Sequence, residues 1–160
     1  MSSTQTQHAP GVQSASAGSD SRLTAAVIFA VSVAVLGVAF WLTPNPNGFG
    51  THQALGLPPC GLLRSTGIPC ATCGMTTSFS YAAHGDLVAS FINQPAGAIL
   101  ALLTAMAAVV SGYALVTGMS LAPIGAVIFR PRVIVLAGAV VLIAWAYKIV
   151  IVTGWFGASL

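Results

Sequence analysis

Leu23-Thr24-Ala25-Ala26-Val27-Ile28-Phe29-Ala30-Val31-Ser32-Val33-Ala34-Val35-Leu36-Gly37-Val38-Ala39-Phe40-Trp41-Leu42 runs for 20 residues without a charged side chain. At a rise of about 1.5 Å per residue, a helix of that length crosses a hydrocarbon core about 30 Å thick. Trp41 closes it, where an indole prefers the membrane–water interface. Two more windows repeat the pattern. No Asp, Glu, Lys or Arg falls between Leu87 and Phe129, and the strongest spanning window in that stretch is 96–117. Residues 133–153 form a third, interrupted only by Lys148 and followed by Trp155 and Phe156 as a second interfacial anchor.

Composition agrees. The chain of 160 residues is 56% hydrophobic and only 4% charged, and its mean hydropathy is +0.92. A soluble domain needs about a quarter of its residues charged. Lipid must therefore cover most of this exterior. Arg22, Arg64, Arg130, Arg132 and Lys148 are scattered and form no basic run, so a nucleic-acid partner is excluded and the basic residues read as topology determinants.

Residues 1–21 differ in kind. They are rich in Ser, Thr, Gln, Ala and Gly, lack aromatics, and cannot bury enough apolar surface to offset their ordering entropy, which predicts a disordered tail. The apolar run after them is too long for a signal-peptide core and lacks a small-x-small cleavage site, so it is expected to stay as a transmembrane helix.

Between the first two spans, residues 44–95 hold the irregular and reactive material. Pro44, Pro46, Pro58, Pro59 and Pro69 break the first part into loop. Residues 74–83 read as a short helix stopped by Gly85, with Asp86 as N-cap of the next. The stretch 74–93 is apolar but broken by His84, Gly85 and Asp86. It is expected as a helical hairpin lying in or dipping into the outer leaflet, a fourth full span being the alternative. With the N-terminus cytoplasmic, Arg22, Arg130 and Arg132 lie inside and only Arg64 outside. That satisfies the positive-inside tendency and predicts an N-in, C-out protein with all its cysteines on the outer side.

Cys70-Ala71-Thr72-Cys73 is where chemistry is expected. Two thiols three residues apart reach each other or one metal ion. A structural disulfide, a redox-active pair and a metal site all fit, the last with Cys60, His52 or His84 completing a set of soft and borderline ligands for zinc or another ion. Thr72, Thr76 and Thr77 are placed to add hydroxyl hydrogen bonds. No His follows Cys73, which excludes covalent haem attachment, and no βαβ pattern surrounds the pair. Asp20 and Asp86 are the only carboxylate side chains, too few for an intramembrane proton relay. Asp86 and Lys148 are candidates for a partly buried ion pair. The plainer alternative is an N-cap for Asp86 and a snorkelling side chain for Lys148. Gly97, Ala101, Ala105, Ala108 and Gly112 fall on one helix face as a seam for close approach of another helix, in this chain or in a second.

The block Cys70-Ala71-Thr72-Cys73-Gly74-Met75-Thr76, with His84-Gly85-Asp86-Leu87 and Gln94-Pro95 after it, resembles a bacterial membrane family catalogued as domain of unknown function 2752. The resemblance covers roughly residues 55–117. That family's usual pattern looks like Cys-Pro-x-Cys-Gly-Leu-Thr-Arg, then Gly-Asp, then Asn-Pro. Here Ala71 replaces the Pro, Thr77 the Arg and Gln94 the Asn. The missing Arg removes a fixed cation beside the pair. The resemblance implies a small helical membrane protein with a cysteine-bearing re-entrant region, and no activity.

The expectation is an all-α integral membrane protein of the bacterial cytoplasmic (inner) membrane. It has a tail (1–21) and a membrane domain (22–160) with spans near 23–42, 96–117 and 133–153. The cysteine-bearing outer loop and hairpin occupy 44–95. The scarcity of acid–base groups favours a non-enzymatic accessory or scaffold subunit with a structural cysteine cluster. The alternative is a membrane thiol–disulfide or metal-binding redox component using Cys70 and Cys73.

Overall fold

In a bilayer the backbone has no water to bond with, so a chain this apolar must satisfy its N–H and C=O groups within helices. The computed structural model describes residues 13–153; residues 1–12 and 154–160, the latter including the Trp155 and Phe156 anchor, lie outside the described residues. The described elements are all helical: α1 (Gln13–Trp41), a 3-10 turn (Thr51–Leu55), α2 (Gly61–Thr66), α3 (Met75–Ala83), α4 (Leu87–Asn93), α5 (Pro95–Thr117), α6 (Ala122–Ile128) and α7 (Pro131–Thr153). Among the described residues, three segments are long and apolar enough to cross a membrane, Asp20–Trp41, Pro95–Thr117 and Pro131–Thr153. The all-α architecture with three spans holds. One boundary moves: α1 begins at Gln13, inside the expected disordered tail. Once an apolar span has nucleated a helix, each further Ser or Ala adds a backbone hydrogen bond at little entropic cost.

Helices α1 and α5 run antiparallel. Gly112 lies under the Phe29 ring, which a Cβ would meet at 3.1 Å, and Gly118 lies beside the Arg22 guanidinium. Ala39, Phe79 and Ala101 form the small core, with Met75, Ala82 and Ala83 packed on it. Gly97 lets α5 press on α3, since a Cβ there would stand 2.9 Å from Ser78 Cβ. The small-residue face is therefore used inside the chain at Gly97, Ala101 and Gly112, while Ala105 and Ala108 are half-buried. Large aliphatic side chains point outward, as lipid contact requires.

The hairpin α3–α4 wedges against α1 and α5. Its inner face is polar and hydrogen-bonded. Ser78 Oγ donates to Ser90 O at 3.0 Å, Ser90 Oγ donates to Ser78 O at 2.7 Å, and Asn93 Nδ2 donates to Ser78 Oγ at 3.0 Å. Ser80 Oγ donates to Leu42 O, satisfying a carbonyl at the end of α1. Each hydroxyl thus meets a partner inside the fold, where water has no access. The expected turn is present: Gly85 has φ +86°, and Asp86 Oδ1 accepts from Ala89 N at 2.9 Å as the N-cap of α4.

Gly85 shows how little a positive φ costs when space is free. A Cβ there would meet nothing within 4 Å, so Gly85→Ala faces only the left-handed backbone penalty, about 1–2 kcal/mol. Thermal denaturation in detergent should show a modest loss of that order. A variant as stable as wild type would mean that the turn relaxes freely.

Helix α7 is held mainly near its C-terminal end. Trp145 Nε1 donates to Pro69 O at 2.8 Å and Tyr147 OH to Ile92 O at 3.0 Å. Between these contacts Lys148 enters the protein interior. Lys148 neither snorkels nor pairs with Asp86. It is buried by the loop and hairpin, while Asp86 remains at the exposed hairpin turn.

Candidate metal centre

Two turns that share no helix bring the cysteines together. Cys60 precedes α2 as its N-cap. Cys70 and Cys73 lie on the tight turn before α3, closed by Cys73 N donating to Cys70 O at 3.0 Å. Gly74, at φ +85°, then starts α3. The Sγ atoms of Cys60, Cys70 and Cys73 all lie within 4.8 Å of one another. The Cys70 thiol donates to Cys73 Sγ at 3.2 Å, and Cys70 Sγ also contacts Thr72 Oγ1 at 3.3 Å.

All three cysteines are free, and the 3.2 Å separation is well beyond a bonded S–S distance of about 2.05 Å. Of the three alternatives, a disulfide is not what this arrangement shows. The spacing instead suits a shared ion. Zinc–sulfur bonds of about 2.3 Å in a tetrahedral arrangement place ligand sulfurs about 3.8 Å apart, inside the range seen here. The donor set is soft, which favours zinc or a similar thiophilic cation.

The thiols have unequal surroundings. The Leu63 N–H, in the first turn of α2, faces Cys60 too loosely to form a capping hydrogen bond. It still does most to lower that thiol to about 7, with the Cys73 and Cys70 thiols assisting against burial. Burial pushes the Cys73 thiol up to about 12, reinforced by hydrogen bonds with the Cys70 and Cys60 thiols. Cys60 is therefore the more readily ionised thiol and Cys73 the less readily ionised one.

The cluster opens into a cavity of about 540 Å³, also lined by His52, Gln53, Arg64, Met75 and Thr76. His52 lines the same cavity, but its Nε2 donates to Pro58 O at 3.2 Å and it is not part of the close cluster. His84 is elsewhere. Its Nδ1 donates to Ser80 O at 2.8 Å, and its ring stacks on Phe40 with centroids 5.0 Å apart. It sits at the far end of α3 from the cysteines, which removes it from the ligand set. Thr77 serves the scaffold, sharing a 2.8 Å hydrogen bond with Thr51.

The sequence offered no direct view of the polar knot beneath the cluster. Asn93 Nδ2 donates to Gly74 O at 2.9 Å, and Lys148 Nζ donates to Asn93 O and Oδ1 at 2.9 Å each. The visible signal was Lys148 itself, one ionisable group inside an otherwise uncharged span. Gln94 lies alongside, fully buried, its Nε2 donating to Ala71 O at 3.3 Å.

No curated protein and no solved structure matches the chain. Residues 60–108, which carry the three cysteines, the hairpin and the first half of α5, match the model of the family described as protein of unknown function (DUF2752), so this part of the chain is similar to that family.

Proposed function

We propose that the protein is a membrane-anchored metal-binding protein in which Cys60, Cys70 and Cys73 hold one soft cation, zinc before others. The carrying observation is the convergence of three thiol sulfurs within 4.8 Å from two separate turns. A bound divalent ion displaces the thiol protons and ties the loop before α2 to the start of α3. That is a structural task for a non-enzymatic accessory or scaffold subunit, which agrees with the near absence of acid–base groups. The protein sits in the bacterial inner membrane with the cysteines outside. Arg22, beside the far end of α5, and Arg130 and Arg132 then lie on the cytoplasmic side.

Elemental analysis of protein purified in detergent with reductant tests the proposal. One zinc per chain is expected, lost in Cys73→Ser. Metal-free protein with three titratable thiols would overturn it. A second reading, thiol–disulfide exchange, is favoured by the Cys70–Cys73 sulfur contact and the lowered Cys60 thiol. Air-oxidised protein with a reversible Cys70–Cys73 disulfide, one free thiol and no zinc would select it.

A further inference from the structure

Lys148 is a buried lysine with no carboxylate beside it among the described residues. Its side chain is 3% exposed. Nζ donates to Gly48 O at 3.2 Å and to Asn93 O and Oδ1 at 2.9 Å each. All three ammonium protons therefore meet neutral oxygens, which satisfies its hydrogens and leaves its charge uncompensated. Burying such a charge is costly unless an anion is near. The two carboxylate side chains of the chain are Asp20 and Asp86, both exposed, the latter capping α4.

Cys73 is the group able to become anionic that acts on Lys148. Lys148 Nζ lies against Gly74, where a Cβ would approach it to 3.0 Å, and Gly74 directly follows Cys73. Lys148 and Cys73 are close enough to interact electrostatically. The glycine is what permits this approach, because the same Cβ would stand 2.7 Å from Gly48 O. Asn93 fixes the geometry from both sides, donating to Gly74 O and accepting from Lys148.

Resting on the metal reading, we propose that Lys148 is the counter-charge of the thiolate site and strengthens binding of a divalent cation there. Three thiols and one divalent ion give a complex of net charge −1, with three protons released to water. The ammonium beside Cys73 brings the buried assembly to neutrality. No electron is transferred, and no oxidant is needed. Lys148 is a positioning residue here: it acts on the ion through the field at the sulfurs and not by ligation.

The test is zinc affinity by competition with a chromophoric chelator, together with the rise in melting temperature on zinc loading. Lys148→Met should weaken zinc binding tenfold or more and shrink the zinc-induced rise, whereas Lys148→Arg should recover most of both. Asn93→Asp retains the lysine but gives it a carboxylate partner, and it too should weaken zinc binding about tenfold. A lysine needed only for packing would lower the melting temperature of the metal-free protein and leave the zinc-induced rise unchanged. That result, or affinity within twofold of wild type in either neutralising variant, overturns the proposal. Should Lys148→Met fail to fold, Asn93→Asp decides alone. Wild-type protein that binds no zinc defeats the metal reading itself, a different outcome from wild type and variants binding equally.

Discussion

Metal-free protein treated with a membrane-impermeant alkylating reagent near pH 7 should be modified first at Cys60 and last at Cys73. Thiolate is the reacting species. With its thiol lowered to about 7, Cys60 is half ionised there. Cys73, pushed up to about 12, is ionised only in trace. The gap of five pH units is partly offset, because a thiolate of higher pKa is intrinsically more nucleophilic. With Cys60 half ionised, a Brønsted slope of about 0.4–0.5 leaves a rate difference of roughly 150- to 500-fold before burial slows Cys73 further. The sign follows from the direction of each shift. The Cys60 rate should fall about tenfold per unit below pH 7 and level off above it, while the Cys73 rate should still be climbing at pH 9. Mass spectrometry of peptides after timed quenching reads both. Equal rates would show that the thiols share one environment, and modification of Cys60 only after permeabilisation would reverse the proposed orientation. Zinc loading should protect all three.

Gly74→Ala should destabilise the protein far more than Gly85→Ala, although both glycines have nearly the same φ, +85° and +86°. The left-handed backbone alone costs an alanine about 1–2 kcal/mol. At Gly85 that is the whole effect. At Gly74 the new methyl would also stand 2.7 Å from Gly48 O, 3.0 Å from Lys148 Nζ and 3.3 Å from Asn93 Nδ2. The first neighbour is backbone and cannot rotate away. The others are tied into the polar knot. Overpacking of this kind adds about 1–3 kcal/mol, for a total of about 2–5 kcal/mol. The damage should spread to the site, since the start of α3 carries Cys73 into the cluster. Denaturation midpoints of the two variants in the same detergent make the comparison. Equal losses would mean that the loop around Gly48 yields without cost.

The spans were legible because apolar length is a local property. Residues 23–42, 96–117 and 133–153 needed no partner to be recognised, and their ends lie within three residues of Asp20–Trp41, Pro95–Thr117 and Pro131–Thr153. The turn at Gly85 and the cap at Asp86 were legible for the same reason, since positive φ and N-capping depend on adjacent residues. Spacing alone also brought Cys70 within reach of Cys73. It did not show whether they are bonded, which depends on a third thiol and on burial.

Choosing among the other candidate ligands took tertiary structure. Cys60, His52 and His84 were equivalent on chemistry, and the packing of α3 separates them. Its N-terminal end meets the Cys60 turn and the His52 cavity, and its C-terminal end carries His84 to Phe40. Lys148 is the sharper case. By sequence it is a lysine near a membrane interface, and snorkelling is the natural fate of such a side chain. In the fold it reaches Gly48, 100 residues away, and Asn93, 55 residues away. No local pattern encodes those contacts. Hydropathy and turn chemistry by themselves determined three apolar helices of spanning length and a helical hairpin, because each depends on neighbours along the chain. The cysteine cluster and the cation beneath it were decided only when α7 docked on the loop and hairpin, because burial and electrostatics depend on neighbours in space.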